Sequence, residues 1–428
     1  DYELYGVEKE SVELSAFQME VESFSNSVSG GVCFRCIVDG KMGYASTELF
    51  DEEQAEEIVR RAAENARTIE ATDPVFLHSA GDDYQEAVPY TEPLPSPEQI
   101  TPFLLDCQRK AYDADPRVCD GTQSVFIAAR TTTHLTNSRG LDLENQSGVQ
   151  LGYVQAVMEE GGEKYSGLEF TIDTLSAINR KELVDRTIKT TAGTIGAEVA
   201  DSGKYTVALA PEAMSTLLAI FCGVFSSDNA QKGLSLLKGK EGEVIASPAV
   251  TIIDDPLYPG CTAQTSFDAE GVATRKKSVI ENGVLNTLLY NLSTAAKAGC
   301  KSTGNACKGS YAGAVSIAPY SFYLKPGEAS QEEVFRQIGS GLYITELNGG
   351  HAGANAVTGD FSLQSAGYLI EDGKLGRAVR GFTMADNFFD LLKKITAVAS
   401  DLIFEIPAGF TVLGAPTTVV TDVSIAGK

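Results

Sequence analysis

Metal-assisted hydrolysis needs three or four N, O or S ligands converging on one ion, commonly two histidines a helical turn apart with a glutamate as base. The chain carries three histidines, His78, His134 and His351, widely separated and in no H-x-x-x-H or H-E-x-x-H arrangement. Cys33-Phe34-Arg35-Cys36 matches C-x-x-C, which before a helix would make a redox pair and, doubled, a zinc knuckle. It lies in an alternating stretch that reads as strand, where residues i and i+3 point to opposite faces, so the two sulfurs diverge. Cys300 and Cys307 flank Gly304 and could approach one another, but no second pair accompanies them. No G-x-S-x-G elbow supplies a nucleophile. What remains is a glycine-rich run holding Gly349, Gly350, His351, Gly353 and Asn355, followed by Gly359 and Asp360. Glycine lets a ligand approach the backbone closely, so these seven are candidate peptide contacts, with a plain turn-rich connection as the alternative. Without Gly-Lys-Ser/Thr the run is no nucleotide cradle.

The elements that must position these groups are legible in part. Val12, Leu14 and Ala16, then Phe17, Met19 and Val21, alternate as strand with a phase change that suggests a bulge. Val32, Phe34, Cys36 and Val38 alternate into Asp39-Gly40, a hairpin signal. Asp51 and Gln54 open a helix with Ile58, Ala62, Ala66 and Ile69 on one face. Residues 72 to 96, rich in proline and acid, read as a surface connection. Ser96-Pro97-Glu98-Gln99 then starts a helix to about Tyr112. Strands follow at 123–136, 149–158 and 163–174, then a long helix at 179–197. The pattern resets at Ala200-Asp201-Ser202-Gly203. Beyond it come strand (204–210), helix (212–225) and hairpins at Asn282-Gly283 and Asp372-Gly373. Ser330 to Glu333 caps a short helix that Gly339 ends, and Asn387 to Val398 reads as another helix.

A length of 428 residues exceeds one core and predicts two domains, placed at 1–200 and 201–428. Formal charge is −24, and residues 1 to 100 hold 22 acidic against 6 basic side chains. Phosphate backbones and anionic membranes are held by Lys and Arg, so nucleic acid and membrane are set aside as partners. Eight cysteines in so long a chain are no disulfide scaffold and point to a cytoplasmic location. The start at Asp1 shows no basic-then-apolar leader, and with no initiator Met there the expectation leaves a start upstream open. The segment Tyr205 to Ser227 holds only Glu212 as a charge, but its proline, glycine and serines favour a buried strand and helix over a membrane span.

A set of short motifs then follows one order. Asn137-Ser138-Arg139-Gly140 comes first. Ser266-Phe267-Asp268-Ala269-Glu270-Gly271-Val272, Ile280-Glu281-Asn282-Gly283-Val284-Leu285 and Lys301-Ser302-Thr303-Gly304-Asn305-Ala306 are next. Thr345-Glu346-Leu347, Thr358-Gly359-Asp360-Phe361-Ser362, Ala366-Gly367 and Ile370-Glu371-Asp372-Gly373-Lys374 come after these. Ala385-Asp386-Asn387 and Ile425-Ala426-Gly427 close the series. Singly each is a turn; in this order the set resembles the TldD/PmbA family over nearly the whole chain.

The resemblance implies an α+β protein with a mixed sheet-and-helix first domain and an antiparallel, strand-rich, barrel-like second domain. It implies a place in a cytoplasmic peptidase system built from two related subunits. TldD-type members carry H-E-x-x-x-H on the helix opening the second domain, with a cysteine near the carboxyl end, to bind zinc. Here that helix reads Pro211-Glu212-Ala213-Met214-Ser215-Thr216, so Pro211 and Thr216 stand at the histidine positions, only Glu212 survives, and no cysteine follows Cys307. The chain therefore resembles the PmbA, or TldE, branch. The expectation is a subunit with no metal, cofactor or catalytic residue of its own and vestigial positions Pro211, Glu212 and Thr216. It would pair with a TldD-type subunit that holds zinc, or with itself, and handle a peptide substrate. A stand-alone hydrolase with an unrecognised site, or a non-enzymatic, self-associating peptide-binding protein, are the alternatives. The older description of the family as gyrase modulators finds no support in so acidic a chain. Two further expectations are pairing through the second domain and the long first-domain helix, and a cavity around Glu212 lined by Gly349 to Gly359.

Overall fold

The computed structural model describes residues 1–49, 51–70, 74–409 and 411–428. The first half is one antiparallel sheet. It is built from β1 (Tyr2–Phe17), β2 (Glu20–Val38), β3 (Lys41–Thr47), β4 (Gln123–Asn137), β5 (Asp142–Glu160) and β6 (Glu163–Ile172), in the order β3-β2-β1-β4-β5-β6. Three helices, α1 (Glu52–Thr68), α2 (Pro97–Ala114) and α3 (Arg180–Gly193), cover one face. Period-two alternation sorts β1 cleanly. Val12, Leu14 and Ala16 pack with Ile100, Phe103 and Leu104 of α2, whereas Glu3, Tyr5, Val7 and Lys9 belong to the opposite face. The local signals at α1 and α2 hold: Asp51 accepts from the Gln54 N–H at 2.8 Å, and Ser96 with Gln99 forms a capping box.

The phase change near Phe17 is a turn, not only a bulge. Gln18 and Met19 adopt φ of 48° and 63° and reverse the chain into β2, and the register slips one residue beyond, between Ser15 and Ala16. Neither residue favours positive φ. The turn is held from outside: Gln108 of α2, fully buried, accepts from the Met19 N–H at 2.8 Å and donates to the Ala16 carbonyl. β2 is longer than β3, so from Glu20 to Gly31 its outer edge has no partner among the described residues, and Val21, Phe24 and Val28 are exposed there.

The connection expected on the surface at 72–96 is more than that. Thr72 and Asp73 lie outside the described residues, and the rest is irregular but straps the two halves together. Leu77 and Tyr90 are buried, the Tyr84 hydroxyl donates to the Gly271 carbonyl at 2.7 Å, and Asp82 accepts from the Ala273 N–H at 2.9 Å. The helix expected over 179–197 ends earlier, at Gly193, because Gly196 takes φ +73° and the chain turns. Its outward side chains include Lys181, Asp185, Arg186 and Lys189, with Lys181 and Asp185 paired at 2.5 Å. A charged face of this kind is a poor seam for the pairing expected through this helix.

The strands of the second half form separate sheets. One joins β7 (Gly203–Leu209), β14 (Gly341–Asn348), β15 (Asp360–Glu371), β16 (Lys374–Asn387), β17 (Ile395–Val398) and β20 (Thr418–Ala426). An added β16–β20 pairing closes five of these strands into the expected barrel. The other large sheet runs β10-β9-β8-β13-β19-β18, from β8 (Ile252–Asp254), β9 (Lys277–Glu281), β10 (Val284–Leu285), β13 (Ser321–Leu324), β18 (Ile403–Phe404) and β19 (Val412–Ala415). A two-stranded ribbon, β11 (Ala306–Cys307) with β12 (Ser316–Ile317), stands apart. Among the strands of the described residues two pairings are parallel, β7 with β14 and β13 with β19, so the half is largely rather than wholly antiparallel. The predicted hairpins form, with Asn282 and Asp372 at φ 49° and 51°. The helix read over 387–398 stops at Lys394. Ile395 to Val398, rich in β-branched residues, joins β20 as a strand instead. Between the sheets runs α4 (Pro211–Phe221), apolar almost all round and buried at Ala213, Met214, Leu217, Leu218 and Phe221.

Candidate functional site

α4 begins where β7 ends. Pro211 sits in its first turn, where a missing N–H costs nothing, and Thr216 turns its hydroxyl back to the Glu212 carbonyl at 2.9 Å. Both positions are thereby committed to the helix itself. Glu212 remains solvent-exposed, with other carboxylates near enough to act on it. The surrounding protein raises its carboxyl above the ordinary range, and the charges of Glu169 and Asp401 add to that.

The groups around Glu212 come from distant parts of the chain. Gln331 donates to the Tyr343 hydroxyl (3.0 Å), to the Asp401 carboxylate (3.2 Å) and to the Thr417 hydroxyl (3.0 Å). Thr417 in turn donates its N–H and its hydroxyl to Asp401, at 2.9 and 2.6 Å. Burial, then Glu212 and Asp401, raise the Tyr343 phenol. Glu405 follows the short strand β18. Burial first, then Glu212 and Glu169, push it up to about 7, and its Oε1 is buried without a hydrogen-bond partner. A carboxyl poised near neutrality beside a second raised carboxyl can hold or deliver a proton.

These residues do not fit zinc. A pyrrolidine carbon and an engaged hydroxyl replace two imidazoles. Among the described residues no three His, Cys, Asp or Glu side chains come together as a ligand set. The histidines are apart: His78 meets Asp82 at 2.9 Å, His134 meets Glu144 at 3.5 Å, and His351 is exposed. Cys33 and Cys36 are free, on opposite faces of β2, with Cys36 packed toward α1. Cys300 and Cys307 are free as well, one exposed and one buried.

The glycine-rich segment lies at the far end of α4. A short helix, Gly350–Gly353, packs there, and a Cβ at Gly350 would come within 2.6 Å of Ile220. Ile220 is eight residues beyond Glu212, about 12 Å along the helix axis. Gly349 (φ +85°), His351 and Asn355 are exposed, and the Asn355 side chain accepts from the Val357 N–H. Gly353 lies against the Ser362 carbonyl, 2.4 Å from an added Cβ. Gly359 (φ +87°) lies against Phe389, and Asp360 accepts from Asn387 at 2.9 Å. Close packing thus accounts for Gly353 and Gly359, and the expected lining of a cavity at Glu212 meets a segment at the opposite end of the helix.

Glu405, Asp401, Gln331 and Tyr343 escaped the reading of the sequence. One signal was available: Glu405 interrupts an otherwise apolar run of Leu402, Ile403, Phe404 and Ile406.

The raised carboxyl has a measurable consequence. With a folded-state value of about 7 against an ordinary 4.5, Glu405 keeps its proton in the folded protein while the unfolded chain loses it. Its contribution is therefore present at low pH and lost as pH rises from about 4.5 through about 7. Glu405→Gln is expected to raise the melting temperature at pH 8 and leave it nearly unchanged at pH 5. The gain is at most about 2 kcal/mol once solvent screening is allowed for. Scanning calorimetry at the two pH values checks this, and an equal shift at both removes the proton from the explanation.

Residues 202–427 match the PmbA/TldA metallopeptidase C-terminal domain, 2–66 match its domain 1 and 90–202 its central domain. An uncharacterised protein of Methanocaldococcus jannaschii is 30% identical over 377 residues, covering 87% of this chain and 85% of its own. Metalloprotease PmbA of Escherichia coli O157:H7 is 26% identical over 310 residues, 72% of this chain and 66% of its own. Among solved structures, a proposed modulator of DNA gyrase from Thermotoga maritima superposes with a TM-score of 0.90 at 31% identity, covering 99% of this chain and 96% of its own. TldE from Thermococcus kodakarensis gives 0.88 at 24% identity, over 100% and 96%, a likeness of fold alone. No helix among the described residues is long and apolar enough to cross a membrane.

Proposed function

This chain belongs to the PmbA/TldD metallopeptidase family, and on that premise we propose that it is the subunit of a peptide-processing pair that has no zinc centre of its own and assists a TldD-type partner. The observation that carries the reading is α4. The helix that would present two imidazoles presents Pro211 and Thr216, and the groups facing Glu212 are carboxylates and hydroxyls. A general base without a metal-bound water has nothing to activate. The zinc would belong to the partner, and the pair would work in the cytoplasm. The exposed residues of the glycine-rich segment, Gly349, His351 and Asn355, with the half-buried Gly350 between them, are then peptide contacts on the outer end of α4, where glycine leaves the backbone open to close approach.

Co-expression with a TldD-type chain of the same organism tests this. The expected result is turnover of an unstructured peptide by the pair, none by this chain alone, and no stoichiometric zinc in this chain by elemental analysis. One tightly bound ion per chain, lost on changing His78, His134 or His351, overturns the reading. The two raised carboxyls favour one competitor, a stand-alone hydrolase using Glu212 and Glu405 as acid and base. Turnover by the isolated chain that disappears in Glu405→Gln selects it.

A further inference from the structure

On the face of the first sheet turned away from its helices, three strands meet the second half of the molecule around a cavity of about 560 Å³. That volume lies within the range of small-ligand sites. Its floor is two cross-strand rows fixed by register, Val7–Thr133–Asn145 and Lys9–Thr131–Ser147. The second half supplies the roof, including Lys308, Ser310 and Tyr311. None of the residues around Glu212 lines it.

Lys308 is 6% exposed, and no carboxylate approaches its ammonium within 4.0 Å among the described residues. Other inward cations are matched: the buried Arg35 by Glu3 at 2.6 Å and the half-buried Lys277 by Asp254 at 2.9 Å. Lys308 instead donates to the Tyr311 carbonyl at 3.2 Å and lies 4.6 Å from the centroid of the Tyr5 ring, with the Cys33 thiol beside it. The buried Asp268 also lines the cavity, but its oxygens are engaged by the N–H groups of Glu270, Val272 and Ala306 at 2.9 to 3.0 Å. Glu3 is nearby but held by Arg35. A buried cation without a counter-ion is costly, and a cavity that such a cation lines can take an anion.

We propose that this inter-domain cavity binds the carboxylate of a short peptide, with the Lys308 ammonium as its counter-ion. The hydroxyls of Thr131, Thr133 and Ser147 supply donors and acceptors that peptide groups need, the Asn145 amide, whose nitrogen donates to the Gln264 carbonyl at 3.0 Å, adds an acceptor oxygen, and Tyr5 supplies an apolar wall. Among the described residues Lys308 is the one buried ammonium of the cavity and suits a monoanion, while Lys9 of the floor is exposed and solvated; phosphate sites more often gather a guanidinium or several backbone N–H groups. Burial lowers the Lys308 amine from its ordinary value, and a bound carboxylate would restore its charge. The choice of a peptide as ligand rests on the family reading above, whereas the anion site does not.

Calorimetric titration of the full chain, without a partner and without turnover, separates the two. Ala-Ala with a free carboxyl terminus is expected to bind about tenfold or more tightly than Ala-Ala amide, and Lys308→Met to erase that difference. Lys308→Arg should restore part of it. In the unaltered protein, acetylation of Lys308 followed by mass spectrometry should slow when Ala-Ala is present, which keeps the test open if Lys308→Met folds poorly. Equal binding of acid and amide, or none up to about 10 mM, overturns the site. Glutarate binding as tightly as Ala-Ala overturns the peptide assignment, and inorganic phosphate doing so overturns the carboxylate. Dipeptide binding in a chain whose partnered form hydrolyses nothing would leave this site standing and remove the peptidase-subunit reading.

Discussion

Alanine in place of Glu3 is expected to lower the stability of the first half by about 3–5 kcal/mol, because it strands a buried guanidinium. Glu3 and Arg35 face each other across β1 and β2, 1% and 3% exposed. The Arg35 Nε donates to Glu3 Oε1 at 2.7 Å, with its Nη2 2.6 Å from the same oxygen, and Asn137 donates to Oε2 at 3.3 Å. Burial raises the Glu3 carboxyl against the pull of Arg35, whereas at Arg35 burial is overcome and the charge of Glu3 raises the guanidinium, so desolvation offsets much of the pair's attraction. The cost of breaking it should therefore far exceed the cost of removing it. Glu3→Leu combined with Arg35→Met is expected to be near neutral, since apolar replacement of a buried pair often is. Urea unfolding followed by hydrogen exchange on β1 and β2 reads both. A double variant as unstable as Glu3→Ala would mean that packing, not the stranded charge, sets the loss.

The second large effect belongs to the helix that carries the vestigial positions. Phe221 is fully buried at its carboxyl end, stacked on Phe388 with ring centroids 4.5 Å apart and planes 13° apart, and tilted against Phe361 at 6.0 Å. Phe221→Ala leaves a cavity between α4 and the barrel and is expected to cost about 3–5 kcal/mol. Phe221→Leu keeps most of the volume and should cost less than about 1.5 kcal/mol. Calorimetry should show the loss in the transition of the second half. Equal losses for the two variants would point to ring stacking rather than volume.

Where the backbone carries its own instruction, the chain could be read directly. Asp39-Gly40, Asn282-Gly283 and Asp372-Gly373 turn as their residue types require, and Asp51 and Ser96 start the helices that follow them. The reading failed where a distant group decides. Gln18-Met19 is no turn sequence until Gln108, from another element, bonds both sides of it. Ile395 to Val398 prolongs a helical pattern, and only the waiting edge of β20 makes it strand. Pro211 and Thr216 were legible as missing ligands only through the resemblance to the TldD-type H-E-x-x-x-H motif, which falls within one helix. The groups around Glu212 were not, since Gln331, Tyr343, Asp401 and Glu405 arrive from separate segments. The cavity under Lys308 depends on cross-strand rows that exist only once the register is set.

The bare edge of β2 has a consequence for how the protein behaves at high concentration. From Glu20 to Gly31 it offers a continuous row of unpaired N–H and C=O groups with Val21, Phe24 and Val28 exposed, the geometry on which cross-β stacking grows. Glu20 and Glu22 act as gatekeepers within that edge, the register slip beside Glu22 bends it, and Gly30 and Gly31 weaken its far end. The formal charge of −24 adds long-range repulsion between whole molecules. Salt removes only that last barrier, so colloidal stability rests on ionic strength while protection of the edge itself is written into a few residues of one strand.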